Sequence, residues 1–227
     1  MNICIYCKQP SSDSVNKAHI IPEAFMRNDT LLPLGVECDS CNSYASKLEN
    51  SFMHHNRIWV PIMLHRIPGK GGKLRKKIGH YRANEEKEII TVTFKENWII
   101  NEDGKRKLIF PDPSEFCGLK FRRALYHIAF NYVAWKFGWK SALEQKFDEV
   151  RRYVRYPKIN EKWPYGQVGY DENNIRKKLE ITWLQDAPGL TVRFESYADD
   201  FFIDVLNTGK LKEWLSINYD LNYLYHD

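Results

Sequence analysis

The chain has 227 residues, of which 43% are apolar, 28% charged and 14% aromatic, the mix of a globular protein with one good core and not of a disordered chain. No window approaches the run of about 18 apolar residues that spans a bilayer, and "MNICIYCKQP" has no basic stretch followed by an apolar one, so a cytoplasmic protein with neither membrane span nor signal peptide is expected. The net charge of +5 is a mild bias that permits a nucleic-acid partner without requiring one.

Four of the five cysteines stand at 4, 7, 38 and 41, as "CIYC" and "CDSC". Two residues between paired thiolates let both sulfurs reach one ion from a tight turn, and two such turns complete a closed tetrahedral zinc site of Cys4, Cys7, Cys38 and Cys41. Such a site is structural, because four sulfurs leave zinc no position for a water. Three alternatives compete: disulfides, which an intracellular chain disfavours; a redox pair, which needs a neighbouring βαβ pattern; and buried unliganded thiols that share a spacing by chance. Cys117, alone in "PSEFCGLKF", reads as a small core residue.

Between the cysteine pairs, "AHIIP" reads as a short strand ended by proline and "LLPLGVEC" as a second apolar run. "CNSYASKLENSFMHHNRIW" follows as a helix with Asn42 as its cap, which places Ala45, Leu48, Phe52 and His55 on one face. The order is strand, loop, strand, helix.

These stretches, "CIYC", "AHIIPEAF" and "ECDSCNSYASKLENSF", resemble the HNH endonucleases, the zinc-stapled branch of the ββα-metal nucleases, over roughly residues 3 to 55. The resemblance implies that His19 is the general base that activates the attacking water, and that Asn42 holds the loop orienting it. It also implies that Glu49 on the helix binds a catalytic Mg²⁺ or Mn²⁺, with Asn50 and His54, four residues apart on one face, as further ligand candidates. Many relatives carry Asp, Glu or His just before the histidine as a second metal ligand, where this chain has Ala18. Another side chain or water must then take that place. Each assignment has a plainer counterpart: His19 as a strand histidine bonded to a carbonyl, Asn42 as a cap, Glu49 as a solvent-facing helix residue.

Further on, "GKGGKLRKK" gathers Lys70, Lys73, Arg75, Lys76 and Lys77 among glycines, a candidate phosphate-binding connection. "EIITVTF" and "KLIF" read as strands, residues 115 to 137 as a long buried helix bounded by Gly138, and 141 to 156 as a second helix with Leu143, Phe147, Val150 and Val154 on one stripe and Arg151, Arg152 and Arg155 off it. Residues 157 to 178 are polar and turn-rich. "LEITWLQ", "LTVRFESY" and "FFIDVLN" then read as strands, with "APG" as a hairpin turn.

The expected fold is α+β: a zinc-stapled ββα HNH module over 1–60, a basic connection over 61–88, and an α+β domain over 89–227 for target choice or for association with a protein partner or second copy. The expected activity is metal-dependent hydrolysis of DNA, with RNA as a second candidate substrate. The resemblance also suggests a role in bacterial defence or a mobile element. The rival reading, for which Ala18 speaks, is a zinc-knuckle module that binds nucleic acid or protein without catalysis.

Overall fold

The structure, a computed structural model, describes residues 2–22, 30–55, 58–59, 61–62, 67–68, 77–78, 81–83, 90–92, 99–102, 105–108, 113–169, 176, 179–219 and 223–226, with the backbone alone for those from 77 to 117 and for 223. "AHIIP" and "LLPLGVEC" meet antiparallel at a single bridge, His19 with Leu31. The Leu32 N–H donates to the Ala18 carbonyl at 2.9 Å and the Ile20 N–H to that of Thr30 at 3.2 Å. Pro22 and Pro33 lack the N–H that would carry the ladder onward, so the two runs stay short.

Helix α1 (Asp39–Met53) starts earlier than its predicted cap. The Asn42 N–H donates to the Cys38 carbonyl at 2.9 Å, the first helical bond, so Cys38 is the cap residue and Asn42 lies inside the helix. The second cysteine pair explains the shift: a helical turn brings residues three apart to one side, as sulfurs sharing an ion must be. Asp39 adds a negative charge at the positive helix end. Ala45, Leu48 and Phe52 are buried as the spacing predicts, and His55, just past the helix end, stacks on Phe121 at 4.0 Å between ring centroids.

Strands β1 (Lys77–Ile78), β2 (Tyr81–Ala83) and β3 (Ile90–Val92) form a small antiparallel sheet, and β4 (Ile99–Glu102) and β5 (Lys105–Leu108) a hairpin. Helix α2 (Pro113–Phe137) follows, ended by Gly138 at φ +87°. From Phe121 to Ala134 its side chains are buried except at Arg122, as a helix apolar on nearly every face requires. No helix among the described residues is long and apolar enough to cross a membrane. The single helix predicted over 141–156 is instead two 3-10 turns (Ser141–Leu143 and Gln145–Phe147) and α3 (Asp148–Arg155). Glu144, extended at ψ 151°, breaks it, yet Phe147, Val150 and Val154 remain buried.

The C-terminal sheet is antiparallel, in the order β10 (Tyr223–His226), β6 (Tyr165–Gly169), β9 (Asp199–Asp204), β8 (Thr191–Glu195), β7 (Glu180–Trp183). The three predicted strands are β7, β8 and β9, and the "APG" turn joins the first two with Gly189 at φ +63°. β6 falls in the stretch read as turn-rich: "YGQVG" has two glycines, and Gly166 is one because a Cβ there would lie 2.2 Å from Leu215 of helix α4 (Leu211–Asn218). β9 is buried on both faces, with Phe201 in the main core and Phe202 packed with Leu211 and Leu215 under α4.

Phe121 joins α1 to this sheet. It stacks on Phe52 at 5.1 Å and meets Tyr165 and Phe201 edge-on at 5.8 and 5.6 Å. Buried residues from Cys4 to Val205 form one contiguous cluster through these rings. Phe121→Ala is expected to cost about 3–5 kcal/mol, measured by urea unfolding, with far-UV circular dichroism and tryptophan fluorescence lost in one transition.

Candidate zinc and nuclease site

The two cysteine pairs come together as their spacing predicts. The "CIYC" loop is closed by the Lys8 N–H donating to the Cys4 carbonyl at 3.0 Å, with Lys8 itself at φ +57°, and is tied to the second pair by the Ile5 N–H on the Val36 carbonyl at 2.9 Å. All four Sγ atoms lie within 4.8 Å of one another, and Cys7 and Cys38 are 3.8 Å apart, close to the spacing of about 3.8 Å that zinc–sulfur bonds of about 2.3 Å impose in a tetrahedron. Sulfurs this close compete for protons. A hydrogen bond from Cys41 pulls the Cys4 thiol down to about 5, the same bond together with burial drives Cys41 far up, and burial pushes Cys7 to about 11. A divalent cation among them removes the conflict, and the donor set is one that suits zinc. The cluster is braced from α3: the Arg155 guanidinium lies over the Tyr44 ring at 4.2 Å, and buried Arg151 donates to the Ile5 carbonyl at 2.9 Å. Arg151, off the apolar stripe in the sequence, is thus turned inward.

His19, half-buried, sits at the bridge to Leu31. Upstream, the Asp39 carboxylate accepts hydrogen bonds from the Val15 and Asn16 N–H groups, each at 3.0 Å, and from Asn16 Nδ2 at 3.1 Å. Those contacts hold the Asp39 carboxyl below the usual range and fix the approach to His19 against the start of α1.

Behind this segment lies a buried polar network that the sequence reading missed. Glu37, next to Cys38, faces His127 of α2, with Nε2 at 3.2 and 3.3 Å from the two carboxylate oxygens. Tyr6 stacks on the His127 ring at 5.3 Å and donates to Asn131 Oδ1 at 2.8 Å. Asn131 Nδ2 in turn reaches Glu37 Oε2 at 3.4 Å and, at 3.5 Å, the His19 carbonyl. On the far side of the imidazole, Nδ1 is 4.0 Å from Glu49 Oε1. Burial opposes charge on His127, but the Glu37 carboxylate, by its charge and its hydrogen bond, and Glu49 beyond hold it above its usual range. Glu49 is itself pushed up by burial.

The chain's first cysteine pair, its histidine, its second pair and its helix thus meet around one spot. Residues 4–56 match the family of HNH endonucleases. No curated protein and no solved structure matches the chain. The HNH match ends before α2, so His127 and Asn131 lie outside it. A sequence signal for them exists: Arg123, His127 and Asn131 recur every fourth residue on a helix that is otherwise apolar. Of the other predicted residues of the HNH segment, Asn42 is half-buried in the first turns of α1, Asn50 is exposed, and the ring of exposed His54 contacts the Asn50 carbonyl at 2.6 Å through Nδ1. Lys70, Lys73, Arg75 and Lys76 lie outside the described residues, as does the side chain of Lys77.

Elemental analysis of the purified protein is expected to find about one zinc per chain, and Cys38→Ser or chelation to lower the melting temperature, because a closed thiolate site contributes folding free energy outright.

Proposed function

We propose that the chain is a metal-dependent endonuclease that hydrolyses phosphodiester bonds of DNA. The observation that carries this reading is the HNH match over 4–56, a stretch that holds His19, the cysteine cluster and the helix that bears Glu49. Hydrolysis needs a water deprotonated in line with the leaving 3′ oxygen, and charge relief as the phosphate becomes crowded with electrons. Histidine is the side chain suited to take that proton near neutral pH, and His19 is assigned that task through a ring nitrogen. Its main chain is held by the Leu31 bridge and the Asn131 amide, which fixes where the ring starts from. Glu49, partly exposed on α1, is assigned to a divalent ion, Mg²⁺ or Mn²⁺, which when bound supplies the charge relief. The cysteine cluster takes no part in the proton chemistry and keeps its loops closed. A DNA partner follows from the same family match, and the lysines and arginine of "GKGGKLRKK" are assigned to its phosphates.

One feature favours a second reading, a binding module without catalysis: Ala18, buried and unable to ligate a metal, stands where many relatives carry a ligand. A plasmid-nicking assay separates the two. With Mg²⁺ or Mn²⁺ the wild-type chain is expected to nick, and His19→Ala to lose about 10²- to 10⁴-fold in rate while retaining zinc and DNA binding; equal nicking by both would make this histidine structural. Replacing Lys73, Arg75, Lys76 and Lys77 together by glutamine is expected to weaken DNA binding and flatten its salt dependence, read by fluorescence anisotropy over a salt series. Unaltered affinity would remove that segment from the interface.

A further inference from the structure

The Glu37–His127–Glu49 row has the build of a metal ligand with its support. A ligating histidine commonly donates its second ring N–H to a carboxylate, which fixes the tautomer and leaves the other nitrogen's lone pair aimed at the ion. His127 fits this on both sides. A carboxylate oxygen accepts, so Nε2 is the donor to Glu37, with the Asn131 amide nitrogen 3.3 Å from the same ring atom, while among the described residues Nδ1 has no hydrogen-bond partner. Its side chain is 2% exposed, and a buried ring nitrogen without a partner calls for something to fill the place. Glu49 Oε1 stands opposite at 4.0 Å, too far for a hydrogen bond. It is within the reach of one ion, since two ligand bonds of about 2.1 Å span up to about 4.2 Å. The Glu49 side chain is 22% exposed, which leaves a way in from solvent.

We propose that His127, from helix α2, supplies the protein ligand that Ala18 cannot, so that a divalent ion is held between His127 Nδ1 and Glu49 Oε1 with Glu37 backing the imidazole. The inference rests on the reading of Glu49 as a metal ligand. It also sets the class of ion. An imidazole nitrogen suits transition metals, whereas magnesium keeps to oxygen, so the site takes Mn²⁺ and its neighbours in preference to Mg²⁺. Position supports the link to His19: Asn131, one turn along α2, reaches the His19 carbonyl and Glu37 with the same amide nitrogen.

The test uses the full zinc-loaded chain with Mn²⁺ as the probe. Loss of the free Mn²⁺ signal in an electron paramagnetic resonance titration gives the affinity, and electron spin echo modulation reports directly bound nitrogen. The wild type is expected to bind Mn²⁺ with nitrogen modulation, with Mg²⁺ displacing it only at roughly tenfold higher concentration or more. His127→Ala and His127→Gln are each expected to abolish the modulation and to weaken binding on the order of 10- to 100-fold; the glutamine variant keeps a donor toward Glu37, which guards against simple misfolding. Glu37→Gln is expected to weaken Mn²⁺ binding with the modulation retained. Unchanged affinity and modulation in both His127 variants, with zinc content and circular dichroism as in the wild type, would overturn the inference. If only Glu49→Ala removed Mn²⁺, the inference would fall and the Glu49 assignment stand. If the His127 variants lost Mn²⁺ while the wild type, loaded with zinc and Mn²⁺, failed to nick DNA, the metal site would stand and the nuclease reading fall.

Discussion

A polar side chain that water cannot reach must find its hydrogen bonds inside the protein, and α2 carries three of them in a row. Leaving one unpaired costs about 1–3 kcal/mol, and more where the group is charged. Arg123 is answered by the Tyr44 hydroxyl and the Tyr153 and Val154 carbonyls, His127 by Glu37, and Asn131 by Tyr6 and Glu37. Most of these partners come from the first fifty residues. Apolar packing alone, being non-directional, would let the N-terminal segment slide on the helix. The hydrogen bonds allow one seating.

That seating explains how so little regular structure can position His19. The pairing that holds His19 amounts to one bridge, and the segment leading to it hangs from the Asp39 carboxylate. Rigidity is borrowed from two sides. The cysteine cluster closes the loops in front, and α2 fills the space behind. Glu37 and Cys38 join the two directly: successive residues, one facing the buried helix and the next the sulfur cluster, so neither centre can move without the other.

The parts of this arrangement that follow local rules were legible in the sequence. The cysteine spacing gave the sulfur cluster, the 3.6-residue period gave the buried face of α1 at Ala45, Leu48 and Phe52, and the run up to Gly138 gave α2 nearly to its ends. Elements whose form is set by a distant neighbour were not. β6 carries Gly166 because α4 presses on it, and a stretch with two glycines and a single branched residue, Val168, gives little local sign of a strand. The start of α1 was misplaced because an asparagine looks like a cap wherever it stands, while the thiol pair before it set the first turn. His127 and Asn131 were hidden by their setting, since polar letters in an apolar helix read as a helix's solvent side until the opposite face is seen to be buried as well.

The stretch that matches the HNH family stops at residue 56, yet the wall that keeps water from its back is built on a helix beginning at Pro113. Excised at that boundary, the segment would turn the Tyr6 and Phe52 rings outward and strip Glu37 of the imidazole beside it. As a part for protein engineering, then, its unit of transplantation is discontinuous in the chain: residues 4–56 travel with α2 or arrive as a sulfur-stapled loop with nothing to hold its histidine.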